Sequence, residues 1–497
     1  MTEGDYAELC AACDRLLRSP ATSLERVAVP LLHVINEHPA GLRQYEPVLQ
    51  QAQPESLPLA LRRQSRALAR VARALMSGAR TLPAPATATV LIVSHLTSPA
   101  QLASPDDFYF GALQRLLQER GVRSFLVLVD HLRDEAARRT CQAQLREGTR
   151  RLLPRLVPAV IEAQLWRRCR EAARRLRREA LACSSAPELA LAVLAGQHVL
   201  LGTTAANLRL HAAIRDLCRR LRPDIIITTH EGDACERMIW HAARASERPP
   251  LCVGYQHTRL TQRAHAIRRT IGPSPQGCDP DVILTLGETS HARLAQSPQL
   301  QPVQLITYGS HRRATTAPIF SRGYRPRGCL VLPDADETEC VILFAFAADC
   351  ARRDPDLEFV FRPHPATDFK SLQDRYATLR SLPTNVTIGS ASALEEECRR
   401  SRYCLYRGSS AALHAVLLGL KPFYVARAGE LSFDPLFELR EWRETVHSPQ
   451  QFQEGVRRAE QTPDPSAAWR AWQHCDRAVA TLRPAALDEL LRRLPRR

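Results

Sequence analysis

The stretch that decides the fold is Phe359-Val360-Phe361-Arg362-Pro363-His364-Pro365, an apolar run that ends abruptly in charged residues and prolines. The run over 331–334 also reads as a strand that ends in a loop, and a helical pattern fills the interval between them. Strands buried on both faces of a parallel sheet read as continuous apolar runs, and open α/β sheets bind ligands at the carboxyl ends of their strands. The pattern therefore predicts a parallel sheet with Arg362 and His364 at its ligand-binding edge.

The residues at this edge suit a phosphate group. Arg362 and His364 complement its negative charge, and Pro363 and Pro365 fix the backbone of the loop that presents them. A polar loop that merely ends a core strand is the structural alternative. We take Arg362, His364 and Pro365 as candidates for phosphate binding.

The bulk composition bounds the class of protein. A chain of 497 residues is too long for one ordinary core, so two or three domains are expected. A net charge of +16 would attract anionic partners such as nucleic acid, an acidic membrane leaflet or nucleotides. Because Lys370 and Lys421 are the only lysines, this charge reflects codon composition as much as binding. No pattern typical of nucleic-acid recognition accompanies it, so nucleic acid is not an expected partner.

The cysteines and the lengths of the apolar runs indicate where in the cell the protein is located. Fifteen cysteines are scattered without CxxC pairs or zinc spacing, which predicts reduced, buried thiols and no metal site. The first residues do not form a signal peptide, and no apolar run approaches the ~20 residues that span a bilayer. We expect a cytoplasmic protein, with peripheral contact to the inner face of the bacterial membrane as an option.

Strand and helix patterns divide the chain into three parts. Residues 1–80 are predicted to form a helical N-terminal segment. Residues 81–309 show βαβ rhythm, which predicts a first Rossmann-like domain, interrupted by a helical insertion over 133–220 without strands. Residues 310–497 repeat the rhythm as a second Rossmann-like domain with terminal helices. The expected fold class is α/β, with the two domains facing a cleft.

The insertion carries a basic amphipathic stretch. Helices over 145–178 are rich in arginine, for example at 174–178. A solvated helical face is the simpler interpretation. Contact with an anionic membrane surface or an acidic acceptor is the functional one.

Two further groups of residues follow predicted strands. His230-Glu231-Gly232-Asp233 follows the strand at 225–229, and its imidazole and carboxylate are candidates for a general base. Gly408-Ser409-Ser410 follows the strand at 403–406, where hydroxyls and free N–H groups at a helix start would bind an anion. Simple N-capping, by Asp233 in one case and a serine in the other, is the alternative.

These groups occur in an order that carries a family resemblance. Glu231-Gly232, His364-Pro365 and Ser409-Ser410 follow one another along the chain. This order resembles bacterial sialyltransferases and polysialyltransferases of the two-domain GT-B type, and the related Kdo transferases of capsule assembly. The resemblance implies a CMP-activated acidic sugar as donor, with His364, Ser409 and Ser410 on its phosphate. It also implies that the acidic turn deprotonates a glycan or glycolipid acceptor, without a bound metal or other cofactor.

A second resemblance adds candidates to the first domain. The Glu231…Glu236-Arg237 segment, the Val253-to-Thr258 turn and the RPHP loop look like those of bacterial surface-carbohydrate biosynthesis proteins. Gln256 and His257 follow a strand in that turn, so they should reach the cleft edge and contact the acceptor or donor. A structural histidine is the alternative for His257.

One position departs from the family pattern. The first acidic residue of the family's turn is His230 here, so either Glu231 or His230 is the predicted base. RPHP-type loops also occur in glycerophosphate transferases of wall teichoic acid assembly, which use a CDP-activated donor. A transferase for UDP- or GDP-sugars, and a non-catalytic GT-B partner in assembly or export, stay open as well.

Overall fold

The computed structural model describes most of the chain. Its residues are 1–19, 22–35, 37–49, 69, 72, 74–76, 82, 88–132, 134–145, 150–183, 185–268, 277–313, 327–364, 367–389 and 394–493. Pro365 and most of 50–87, which includes the end of the predicted helical N-terminal segment, lie outside them.

The first domain is built on a seven-stranded parallel sheet with the strand order β3-β2-β1-β4-β5-β6-β7. The apolar runs predicted as strands form its centre, where every residue of β4 is buried. The strands are β1 Val90–Leu96, β2 Ser124–Asp130, β3 Arg150–Leu152, β4 Ile225–Thr229, β5 Leu251–Gln256, β6 Val282–Thr285 and β7 Gln304–Thr307.

The second domain has a six-stranded parallel sheet with the order β10-β9-β8-β11-β12-β13. Its strands are β8 Gly328–Leu332, β9 Glu358–Phe361, β10 Val386–Ile388, β11 Tyr403–Tyr406, β12 Lys421–Val425 and β13 Glu444–Val446. Both sheets run outward in two directions from a central pair, which is the Rossmann pattern. The predicted α/β class with two Rossmann-like domains of the GT-B kind is confirmed by this strand order.

Helices cover both sheets and form the N-terminal segment. In that segment and the insertion they are Glu3–Arg18, Leu24–Val27, Pro39–Leu42, Glu46–Leu49, Glu135–Gln144, Ala159–Ala180, Ala186–His198 and Gly202–Leu221. The others are Leu113–Gln118, Ala234–Arg244, His265–Arg268, Glu288–Ala295, Glu337–Arg353, Phe369–Arg375, Leu394–Arg399, Ala411–Leu417, Pro449–Gln461, Pro465–Ala478 and Ala485–Leu491. Short 3-10 helices lie at Pro30–His33, Arg43–Tyr45, Pro99–Leu102, Pro298–Leu300 and Ala377–Leu379.

The insertion is not entirely helical, so the prediction of 133–220 without a strand was wrong. Its Arg150–Leu152 forms β3, which pairs in parallel with Leu126–Leu128 of β2 at the edge of the first sheet. An edge strand of three residues that contains two arginines has no apolar run to reveal it. Backbone pairing with β2 forms it instead.

The N-terminal helices and the insertion share one apolar core. Leu9 and Leu16 of the first helix pack in the same cluster as Leu176 and Leu191 of the insertion.

All fifteen cysteines are free thiols and most are buried, as predicted. Among the described helices none alone is long and apolar enough to cross a membrane. The bent pair Ala186–His198 and Gly202–Leu221 meets the length and composition limits only when combined.

The end of the chain returns to the first domain. Leu487 and Leu490 of the last helix pack with the core of the first sheet, and Arg120 pairs with Asp488 at 2.6 Å. The predicted boundary at residue 310 therefore separates the strands of the two sheets, but it assigns to the second domain a helix that packs on the first sheet. The sequence shows that this helix has an apolar face but not which sheet that face covers.

Candidate active-site cleft

The candidate residues lie at the central strand pair of each sheet or at the strand next to it. Glu231 follows β4, which pairs with β1 in the first sheet. Asp334 and Gly408 follow β8 and β11, which pair in the second sheet. In open α/β sheets the crevice between such a pair, outside the carboxyl ends, is the usual ligand site. The sequence could not place these strands side by side, because neither pair is consecutive along the chain.

Electrostatic contacts connect the two edges. Burial lowers the pKa of His364 in the second domain, and the charge of Arg312, which packs on Phe108 of the first domain, lowers it further. Conversely, burial raises the pKa of Glu231, and the carboxylate of Asp334 from the second domain adds to that effect. The carboxyl edges of the two sheets therefore face one another across a cleft, as predicted.

The acidic turn, residues 230–233, is built around a buried carboxylate. Glu236 is 1% exposed and accepts the backbone N–H groups of Glu231 at 2.9 Å, Gly232 at 2.8 Å and Asp233 at 2.9 Å. Gly232 has φ of +90°, and a Cβ there would lie 2.5 Å from the Cβ of Ala266. Only glycine fits this turn, whose backbone is preorganised by Glu236.

Glu231 reaches out of this turn toward the cleft. Its side chain is 36% exposed, and its Oε1 lies 3.3 Å from Nε2 of His257. Burial raises its pKa, against the opposing effects of Thr258 and Arg312. A carboxylate with a raised pKa and access to solvent is suited to accept a proton from a substrate hydroxyl.

His257 joins Glu231 at the edge, as its place after β5 predicted. Burial, and then the charge of Arg312, lower its pKa to about 3. Its ring packs edge-on against Tyr109, with 5.1 Å between the ring centroids. The imidazole is therefore neutral at physiological pH, and its Nε2 faces the carboxylate of Glu231.

His230 does not reach the cleft. It is 1% exposed, packs edge-on against Trp240 with 5.0 Å between centroids, and lies 3.6 Å from Glu236. Its Cβ would be 2.9 Å from a Cβ placed on Gly254. His230 is therefore not placed to act as the base. Its side chain points into the core, whereas that of the next residue, Glu231, points toward the cleft.

Gln256 also turns inward. It is fully buried, its Oε1 accepts the N–H of Leu286 at 3.1 Å, and its Nε2 donates to the carbonyl of Thr258. The predicted ligand contact is replaced by a structural role: the amide joins β5 to β6 and holds the loop that follows His257. Alternation along β5 explains this difference from His257.

Two histidines that the sequence did not single out lie beside the acidic turn. His95, in β1, has Nδ1 3.0 Å from Nε2 of His131 and Nε2 3.1 Å from the hydroxyl of Thr229. Burial and the two nearby histidines, His131 and His257, lower the pKa of His95 to about 3. The sequence signal that could have revealed His95 was a histidine inside an apolar strand.

Within the described ranges, no group of three or more His, Cys, Asp or Glu could hold a metal ion.

The edge of the second sheet is tightly packed around Gly408. A Cβ at this position would lie 2.4 Å from the ring of Phe433 and 2.9 Å from Oδ2 of Asp334. Asp334 also opposes the lowering of the pKa of His364. Gly408, Asp334 and His364 therefore belong to one site, and only a glycine fits between Phe433 and Asp334.

The predicted serines follow Gly408 directly. Ser409 is half-buried and Ser410 exposed, immediately before the helix Ala411–Leu417. Ser410 is the N-cap residue, but its side chain makes no capping hydrogen bond. Simple N-capping by this serine, the alternative weighed from the sequence, is therefore not what the structure shows.

Arginines near this edge are already paired with acids. Arg362 donates to Glu397, which lies in the helix Leu394–Arg399. Arg407 is 1% exposed and pairs with Glu339 at 2.6 Å and Glu430 at 2.7 Å. Arg407 is thus a structural residue, and the phosphate contact predicted for Arg362 would compete with its own ion pair.

Comparisons with known proteins give a likeness of structure only. No protein-family model matches the chain, and neither does any curated protein. Solved structures similar to it include the glycotransferase of kitacinnamycin, at 14% identity and a TM-score of 0.45, over 83% of this chain and 100% of that one. SnogD, a glycosyltransferase from Streptomyces nogalater, has 16% identity and a TM-score of 0.44, over 82% and 99%. A putative UDP-N-acetylglucosamine 2-epimerase from Listeria monocytogenes has 10% identity and a TM-score of 0.47, over 82% and 95%.

Proposed function

We propose that the protein is a metal-independent glycosyltransferase that moves an acidic sugar, such as sialic acid or Kdo, from a CMP-activated donor to a surface glycan or glycolipid. One observation carries the proposal. An accessible carboxylate, Glu231, at the first sheet's edge is within electrostatic range of Asp334 at the second sheet's edge, and Asp334 lies beside Gly408 and influences His364. A base and an anion site on opposite walls of one cleft suit transfer from a phosphate-activated donor.

On the acceptor side, Glu231 acts as the general base. Its carboxylate takes the proton of the acceptor hydroxyl as the new glycosidic bond forms. His257 stays neutral and holds Oε1 of Glu231 in place, while Glu236 fixes the backbone of the turn. His230 has no part in this step because it is buried against Trp240.

On the donor side, negative charge develops on the phosphate as it leaves. Preorganised hydrogen-bond donors aimed at that charge lower the barrier. His364, the hydroxyls of Ser409 and Ser410, and the backbone N–H groups of the loop Gly408–Ser410 supply them in this proposal. The loss of one such contact costs on the order of 3 kcal/mol, or about a hundredfold in rate.

The exposed face of the insertion suits a glycolipid acceptor in an anionic membrane. In the helix Ala159–Ala180, one side packs into the core through residues such as Leu165 and Leu176. The other exposes several arginines to solvent: Arg167, Arg168, Arg174, Arg175, Arg177 and Arg178. This face would bring the enzyme to an anionic membrane that carries a glycolipid acceptor.

The test is release of CMP from CMP-sialic acid and CMP-Kdo in the presence of acceptor glycans. His364→Ala and Ser409→Ala should lower the rate by about a hundredfold or more, with unchanged unfolding midpoints. His447→Ala and Ser381→Ala, which remove the same groups from exposed positions, should retain full activity. Normal turnover by either cleft variant contradicts the assigned phosphate site.

A further inference from the structure

Among the residues that the structure describes, Arg312 stands at the cleft without an acidic partner. It lies five residues after the end of β7 and is exposed. Its Nη2 donates to the carbonyl of Phe108 at 2.7 Å, and its guanidinium stacks 4.2 Å above the ring of Phe108. A neutral carbonyl and an aromatic face thus hold the side chain in place while leaving its charge unneutralised.

This distinguishes Arg312 from the other arginines considered for the site. Arg362 pairs with Glu397, and Arg407 pairs with two glutamates. In the part of the chain that the structure describes, no carboxylate forms an ion pair with Arg312. Arginine presents a planar fork of N–H donors that matches the oxygens of a carboxylate or phosphate.

Contacts place Arg312 next to the proposed base. Its guanidinium lies 5.8 Å from the ring centroid of Tyr109, and Tyr109 packs on His257, which faces Glu231. Its charge opposes the raised pKa of Glu231 and contributes, after burial, to the lowered pKa of His364 across the cleft. The guanidinium therefore packs beside the first wall and is within electrostatic range of both.

We propose that Arg312 is the cleft's receptor for an oxyanion of the substrate. The inference rests on the proposed function, since a CMP-linked acidic sugar carries two such groups, the phosphate and the sugar carboxylate. Either would bring the missing negative charge between Glu231 and His364. Because Arg362 is engaged with Glu397, Arg312 supplies the cation that the sequence had assigned to the RPHP loop.

Calorimetric titration of the full chain with CMP and with CMP-sialic acid tests the assignment. Arg312→Gln should weaken binding by about tenfold to a hundredfold, as expected for a lost charge-assisted hydrogen bond, and Arg312→Lys by less. Arg457→Gln, which removes an exposed arginine from the helix Pro449–Gln461, should bind as the wild type does. The unfolding midpoint of each variant checks folding.

The two ligands distinguish the two sources of the anion. Weaker binding of both ligands assigns Arg312 to the phosphate, and weaker binding of CMP-sialic acid alone assigns it to the carboxylate. Equal affinity of wild type and Arg312→Gln for both overturns the inference.

If the wild type binds neither ligand, the proposed donor is wrong and inorganic pyrophosphate becomes the probe. If the wild type binds pyrophosphate and Arg312→Gln does not, Arg312 is an oxyanion site but the proposed function is wrong. Pyrophosphate binding that is absent, or unchanged in the variant, overturns the site as well.

Discussion

Nε2 of His257 lies 3.3 Å from Oε1 of Glu231, where two neighbouring strands, β4 and β5, reach the cleft. The imidazole is neutral because burial and Arg312 lower its pKa to about 3. A neutral N–H can orient a carboxylate without neutralising it, so Glu231 keeps its basicity. In the proposed mechanism, the charge that activates the acceptor is therefore that of Glu231.

Glu231→Gln should lower kcat by about a hundredfold to ten-thousandfold, because the amide cannot accept the acceptor's proton. Nucleotide affinity and the unfolding midpoint should stay close to those of the wild type. Glu288→Gln is the matched control, since Glu288 also follows a strand of the same sheet but is 52% exposed and pairs with Arg483. Equal activity of Glu231→Gln and wild type would rule out Glu231 as the base.

The pH profile of kcat/KM should follow the ionisation of Glu231. Because burial raises its pKa, the acid limb should lie above the ordinary value of 4.5 for glutamate. The positive charge of Arg312 opposes that rise, so Arg312→Gln should move the limb to still higher pH. Rate profiles at low salt measure the shift, and high salt should shrink the difference. A limb that moves toward acid in the variant contradicts this arrangement.

Glu236→Ala should destabilise the fold by ~3 kcal/mol, because three backbone N–H groups of the acidic turn lose their buried acceptor. Chemical denaturation measures the loss. Glu247→Ala, an exposed glutamate beyond the same helix, should change stability by less than about 0.5 kcal/mol. A neutral effect of Glu236→Ala would mean that water or another group replaces the carboxylate.

The N-terminal segment supports the cleft through Glu37. Its carboxylate accepts from Tyr6 at 2.6 Å, Thr261 at 2.5 Å, and the backbone N–H groups of Ala264 at 3.2 Å and His265 at 2.9 Å. The loop it holds ends against Gly232. Glu37→Ala should therefore cost ~3 kcal/mol of stability and lower kcat in the fraction that stays folded, since the acidic turn loses its support. Activity per folded molecule equal to that of wild type would limit Glu37 to a structural role.

Much of the fold could be predicted because the central strands are continuous apolar runs between helical patterns. The strand Glu358–Phe361 is an example, since Phe359 and Phe361 are buried, Val360 is half-buried and only Glu358 at its start is exposed. The edge strand Arg150–Leu152 and the return of Leu487 to the first sheet could not be predicted. Both depend on tertiary pairing that leaves no local pattern.

The sequence predicted which residues lie at the strand ends, but not always the direction in which their side chains point. Glu231, His257 and His364 lie at the expected strand ends. His230 and Gln256 lie there too but point inward, and the sequence alone does not set this alternation within a turn. Arg312 was missed because its relevance depends on which arginines already have acidic partners, and ion pairing is set by the folded chain.

Nucleotide binding by the wild-type chain tests the central claim most directly. Thermal unfolding with CMP, CDP, UDP and GDP at one shared concentration, about a hundredfold above the dissociation constant of the donor's nucleotide, should show stabilisation by ~2.7 kcal/mol for that nucleotide and less for the others. We expect CMP to be that nucleotide and His364→Ala to lose the effect. No stabilisation by any of the four would contradict a nucleotide-sugar transferase.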